Sequence, residues 1–263
     1  MLFRSAANVD GDNMLGIPDL RLDTMYEIDE ARLGVTVCAS GACHGAGVGA
    51  MLSRVADAVK RNGHEGLIAT ASDGKAQIGG SVWAPDVITY PVDPLDTPVG
   101  SGLKQVTLVC EVEDDNRSLP ALIRHLGQVA QSQHVQCVVG TKVAVAGAAS
   151  QMVFFVIMTP PGGAQMTFAY DFGDVPLTDA RRQNASDEFT ASFPGMHQLP
   201  WIRAPQGLLG GAHVTVPIPY DAIISGMSVG NPLQAVPAQP PGGGPWLPID
   251  IDLWAIYRTL RSA

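Results

Sequence analysis

Lysine is scarce in this chain. Only Lys60, Lys75, Lys104 and Lys142 occur in 263 residues, and after Lys142 the only strong bases are Arg181, Arg182, Arg203, Arg258 and Arg261. With 25 acids against 16 bases and a net charge of −9, no basic stripe is available to neutralise phosphates, which argues against a nucleic-acid-binding surface. Cysteine is equally sparse. Four residues, Cys38, Cys43, Cys110 and Cys137, do not make a disulfide scaffold. Three of them lie in or beside apolar strand-like runs, where a free thiol behaves as a small buried hydrophobe. A reducing compartment is therefore expected, with a cytoplasmic location, or a virion if the chain is viral. Long apolar runs are missing too: residues 152–158 are too few to span a bilayer, and no secretory signal is visible. What remains is 46% hydrophobic and 16% charged, the composition of a folded globule.

Periodicity then divides the chain. Residues 1–30 show no sustained period and read as an N-terminal arm, with 19–30 as a strand or short helix. An apolar run at 33–39 enters a glycine-rich turn. Val48, Met51, Leu52, Val55 and Val59 then form one face of a helix that Gly63 is placed to end. A second apolar run, 66–71, follows. The same order recurs 71 residues later, with Val106 in the place of Val35. There Ser118 caps a helix striped by Leu119, Leu122, Ile123, Leu126 and Val129, with Pro120 in its first turn, and 135–145 reads as a strand. These patterns predict an α+β fold. Two β-α-β units, in a ferredoxin-like or related sheet with helices on one face, occupy 31–147. A β-rich C-terminal half, 148–263, follows, with strands expected at 152–158, 165–172, 214–219, 222–229 and 249–257. Its proline- and glycine-rich stretch 231–248 reads as an extended arm.

The glycine turn is the chief candidate for chemistry, because a strand feeding such a turn at a helix N-terminus suits phosphate-bearing ligands. Gly45-Ala46-Gly47-Val48-Gly49-Ala50 fits the loose dinucleotide pattern, and Asp73 ends the next strand at a distance suited to a ribose. His44-Gly45-Ala46-Gly47-Val48-Gly49, followed by Met51-Leu52 and Gly63, also resembles the acyl-CoA-binding loop of the acetyltransferase family over roughly 30 residues. That resemblance implies a pyrophosphate held by backbone N–H groups at Gly45, Gly47 and Gly49, with His44 in place of the family's basic or amide residue. Small residues packing a helix closely onto a sheet are the competing reading of the same glycines.

Other motifs read as structural. Gly226-Met227-Ser228-Val229-Gly230 matches a nucleophile elbow in letters only, since a proline-rich coil follows and no histidine comes after His213. Cys43-His44 with Cys38 lacks a fourth metal ligand. Asp10-Gly11-Asp12-Asn13 starts like a calcium loop and then fails at Met14 and Leu15. Glu111, Glu113, Asp114 and Asp115 read as a strand's solvent face and the approach to a helix. Asp250 and Asp252 alternate with apolar neighbours as in a half-buried strand. His64 and His134 follow helices, where a cation suits the dipole. Cys110 and Cys137 are expected as neighbouring buried thiols. With no readable catalytic set, the leading expectation is a structural or assembly protein, such as a capsid, neck or tail component of a virion. It would associate with itself or with other assembly proteins and carry no cofactor or metal. The alternative is an acyl-CoA- or nucleotide-binding enzyme using residues 45–49.

Overall fold

The computed structural model describes residues 25–29, 34–38, 42–78, 81–92, 106–114, 117–132, 134–146, 149–158, 166–196, 199–203, 214–224 and 244–262. The first third of the chain forms β1 (Met25–Asp29), β2 (Gly34–Cys38), α1 (Ala42–Arg61), β3 (Ile68–Ser72), β4 (Ala76–Ile78), β5 (Ser81–Trp83) and β6 (Val87–Pro91). The middle holds β7 (Leu108–Glu113), α2 (Leu119–Ala130), β8 (Cys137–Ala146), β9 (Ala149–Met158), β10 (Met166–Gly173) and α3 (Asp179–Ser192). The end adds β11 (Trp201–Arg203), β12 (Thr215–Ile218), α4 (Asp221–Ile224), β13 (Ile249–Asp252) and α5 (Leu253–Ser262). The fold is α+β, built on a seven-stranded mixed sheet in the order β11-β10-β9-β8-β7-β6-β3. Strands β7 and β8 run parallel, as do β10 and β11, and the other neighbours are antiparallel. A four-stranded sheet (β2-β1-β5-β4) and the β12–β13 pair complete the described strands.

The central strands are buried on both faces. On one face Leu108, Cys110, Val112, Cys137, Val139, Phe154 and Val156 pack with α1, α5 and the β12–β13 pair. On the other, Val109, Val138, Val153, Phe155 and Ile157 pack with α2 and α3. Helices thus cover both faces of the large sheet, not one. The β7-α2-β8 unit forms as its pattern predicts: Ser118 Oγ accepts from the Ala121 N–H at 3.3 Å, and the five apolar stripe residues are buried. The first unit differs, because β2 pairs with β1 in the smaller sheet while β3 pairs with β6 at the edge of the large one. Backbone pairing alone decides this, and the apolar pattern of a strand does not name its partner.

Two segments of the C-terminal half change type. Ile249 and Ile251 alternate as a strand, but Leu253, Trp254, Ile256 and Tyr257 are buried at helical spacing. The switch falls at Asp252, whose Oδ1 accepts from the Ala255 N–H at 3.0 Å in the manner of an N-cap. Helix α3 has no apolar stripe for a periodicity search to find, since only Ala185, Ser186 and Phe189 are buried. Its start is marked instead by the Thr178 side chain, which accepts from the Arg181 N–H. Residues 221–224 form a helical turn rather than the start of a strand.

Close approach demands glycine at two positions. A Cβ on Gly140 would lie 2.2 Å from Phe155 Cζ, because the Phe155 ring crosses its β8 partner. One on Gly127 would lie 2.7 Å from Ser192 Cβ, where α2 meets α3.

Candidate functional site

The carboxyl end of β7 gathers most of the buried charge in the described core. On the α1 side, His44 Nε2 stands 3.1 Å from Asp86 Oδ1, and the other oxygen of Asp86 accepts from the Val112 N–H at 2.7 Å. Burial pushes the His44 imidazole down. The Asp86 hydrogen bond and charge, the Asp114 charge and a backbone hydrogen bond at Val112 outweigh it and take the ring up to about 9. Asp73 lies nearby in the left-handed region, with φ 54°. Its carboxyl is pushed up by burial and by the Asp86 charge, which His44 partly offsets.

On the α2 side, strand alternation turns Glu111 and Glu113 inward. Arg117 donates its backbone N–H to Glu113 Oε1 (3.0 Å) and its Nη1 to Oε2 (3.2 Å), and stands 3.8 Å from Glu111. His125 Nε2 lies 3.4 Å from Glu111 Oε1, with Trp83 tilted against its ring. The expectation of a solvent face for Glu111 and Glu113 is therefore corrected: each is only 4% exposed. Burial is tolerated because the Arg117 guanidinium from the following loop lies against both, bonded to Glu113 and 3.8 Å from Glu111. The His44–Asp86 pair and the Arg117–Glu113 pair form a seam that anchors α1 and the approach to α2 to the sheet.

Beyond the seam lies a recess of about 390 Å³. It opens at the crossover from β7 to α2, against β8, β9 and the start of α3. Leu119, Pro120, Ala144, Val153 and Leu177 line its apolar part. Arg117, Lys142 and Arg181 bring positive charge, Asp114 brings one carboxylate, and Ser118, Gln151 and Asn184 are its neutral polar groups. Register explains the grouping: Lys142 pairs with Glu113 on one side and Val153 on the other, and Ala144 pairs with Gln151. Gln151 is oriented by donating its Nε2 to the Val175 carbonyl at 3.0 Å. The crevice outside the carboxyl ends of parallel strands, where a crossover departs, is the ordinary ligand position in such sheets.

The residues singled out by the sequence are placed differently. Helix α1 begins at Ala42, so Gly45, Gly47 and Gly49 lie inside it rather than in a turn before it. The N–H groups of Gly47 and Gly49 point into the helix's own ladder, and a Cβ on Gly45 or Gly49 would meet nothing within 4 Å. Neither a phosphate cradle nor tight packing accounts for those two. Cys110 and Cys137 are buried free thiols. Both are pushed up by burial, Cys137 to about 12. His64 is not a helix-end cation: burial lowers it, Tyr220 and Trp246 flank its ring, and its Nδ1 is 3.1 Å from the Tyr220 hydroxyl. Residues 10–13 and 226–230 lie outside the described residues, as do Asp115, His197 and His213. Among the described residues, no group of three or more His, Cys, Asp or Glu could hold a metal ion, and no helix is long and apolar enough to cross a membrane. Lys142, Gln151 and Arg181 went unread as site residues. The available signal was a lone lysine inside the apolar strand 135–145.

No family model matches the chain, and no curated protein matches it. Among solved structures it is similar to a "putative nuclease belonging to DUF820 from Anabaena variabilis". The TM-score is 0.37 and the identity 14%, covering 64% of this chain and 91% of that one. The expectation of a structural or virion protein is corrected. The solved structure just named is described as a "putative nuclease", which lends the virion reading no support. The described end of the proline-glycine arm is also held by its own chain: Trp246 is buried, the Leu247 N–H donates to Asn62 Oδ1 at 2.9 Å, and Arg61 donates to the Pro248 carbonyl at 2.9 Å. The acyl-CoA or nucleotide alternative is corrected with it, since residues 45–49 form no loop.

Proposed function

We propose that the protein binds a small molecule in the recess at the carboxyl end of the β7–β8 pair. One observation carries this reading. The recess combines an apolar floor with converging polar groups at the crossover of a parallel strand pair, and its volume of about 390 Å³ falls within the range of ligand pockets. The seam beside it supplies rigidity, since Arg117 enters the wall already fixed by Glu113. A cytoplasmic location fits this reading, as Cys110 and Cys137 remain free.

The test is a screen of small fragments by amide NMR, with wild type beside Ala144→Trp, which fills the recess. Fragments that bind wild type are expected to shift amides of residues 117–121, 142–144 and 151–153, and to lose those shifts in the variant. Binding that maps elsewhere, or that persists in Ala144→Trp, would sink the reading.

A further inference from the structure

The buried charges around the recess are already answered within the chain, and this inference rests on the binding reading above. We propose that its ligand is uncharged, a primary carboxamide carried on a small apolar body. Arg117 is bonded to Glu113 through both its backbone N–H and its Nη1, with Glu111 3.8 Å away. Lys142 and Asp114 each have a partner within the chain as well. Arg181 stands exposed on α3, where water and salt screen it. An ionised ligand entering this space gives up its hydration and meets no uncommitted charge among the buried lining residues in return.

What the recess does offer is neutral. Gln151 on β9 is only 9% exposed, and its carboxamide is fixed by the bond from Nε2 to the Val175 carbonyl at 3.0 Å. A carbonyl oxygen can only accept, so the donor in that bond is the amide nitrogen. The acceptor Oε1 is therefore what Gln151 has left to present to the recess it lines. Ser118 Oγ accepts from the Ala121 N–H at 3.3 Å, which leaves its hydroxyl proton to donate. A primary carboxamide matches both, giving an N–H to Gln151 Oε1 and taking the Ser118 proton on its carbonyl. Leu119, Pro120, Val153 and Leu177 cover the apolar body. Leaving a nearly buried acceptor unpaired is costly, so a ligand of similar shape without an N–H is rejected.

The experiment compares phenylacetamide, methyl phenylacetate, phenylacetate and phenethylammonium by titration calorimetry and amide NMR on the full chain. The four share one apolar body and differ in charge or in the N–H donor. Phenylacetamide should bind in the recess, and each of the other three about tenfold more weakly. Gln151→Met keeps the length of the side chain and removes the acceptor. It should bring phenylacetamide down to the level of the ester while leaving the ester unchanged. The comparison on wild type stands by itself if that variant melts early. Equal binding of amide and ester, or binding of either ion as tight as that of the amide, would overturn the carboxamide inference and leave the pocket reading standing. An amide advantage that survives in Gln151→Met would overturn it too. Absence of all four probes from the recess would also overturn it, and the fragment screen then decides the pocket reading by itself.

Discussion

The His44–Asp86 pair makes stability depend on pH on the alkaline side, in a direction set by geometry. The folded ring titrates at about 9 against an ordinary 6.5, so the folded chain holds a proton that the unfolded chain releases near 6.5. The contribution is fully present below about pH 6.5 and is lost as pH rises through about 9. A rise of that size corresponds to roughly 3 kcal/mol at about 1.4 kcal/mol per pH unit. Water reaches the pair, since the His44 and Asp86 side chains are 18% and 12% exposed, and screening brings the expected share to ~1–2 kcal/mol. Urea unfolding of wild type and His44→Gln between pH 6 and pH 10 measures it. The difference between the two proteins should be ~1–2 kcal/mol at neutral pH and shrink toward pH 10. The buried Cys110 and Cys137 thiols and the Tyr220 hydroxyl, all raised by burial, also cost stability as their unfolded counterparts ionise at alkaline pH, but they are common to both proteins and cancel in the difference. A constant difference across the range, or a His44 resonance titrating near 6.5, would refute the argument.

Two further outcomes follow from packing and charge. Gly140→Val drives a side chain into the ring of Phe155, which is 1% exposed and cannot retreat. A loss of about 1–3 kcal/mol in urea unfolding is expected, and an unchanged midpoint would mean the strands part easily. Asp171 is 1% exposed and holds both Arg182 and Arg203 at 2.9 Å. Asp171→Ala strands two partly buried guanidiniums and should cost about 3–5 kcal/mol, whereas a loss below ~1 kcal/mol would show that solvent already screens the triad.

Legibility in the sequence followed the range of the interaction. Helix α2 was readable in full because its cap, its Pro120 and its stripe are local signals that agree. Gly63, with φ 72°, ends α1 as its position implied. The start of α1 was misread: glycines look like a turn to a pattern search, but the helix runs through Gly45, Gly47 and Gly49 from Ala42. Helix α3 was invisible because polar residues cover nearly all of it and tertiary contact at Phe189 holds it.

The sequence by itself determined the α+β class, the parallel β7-α2-β8 unit and the scarcity of positive charge, since each rests on local periodicity, capping or composition. Tertiary structure decided the rest. It placed β2 and β3 in different sheets, turned Glu111 and Glu113 inward onto Arg117 and His125, and brought Lys142, Gln151 and Arg181 around one recess. Lys142 and Gln151 come from the consecutive antiparallel strands β8 and β9, and Arg181 from a helix beyond β10. Strand register and helix docking bring them together, and no local pattern encodes either.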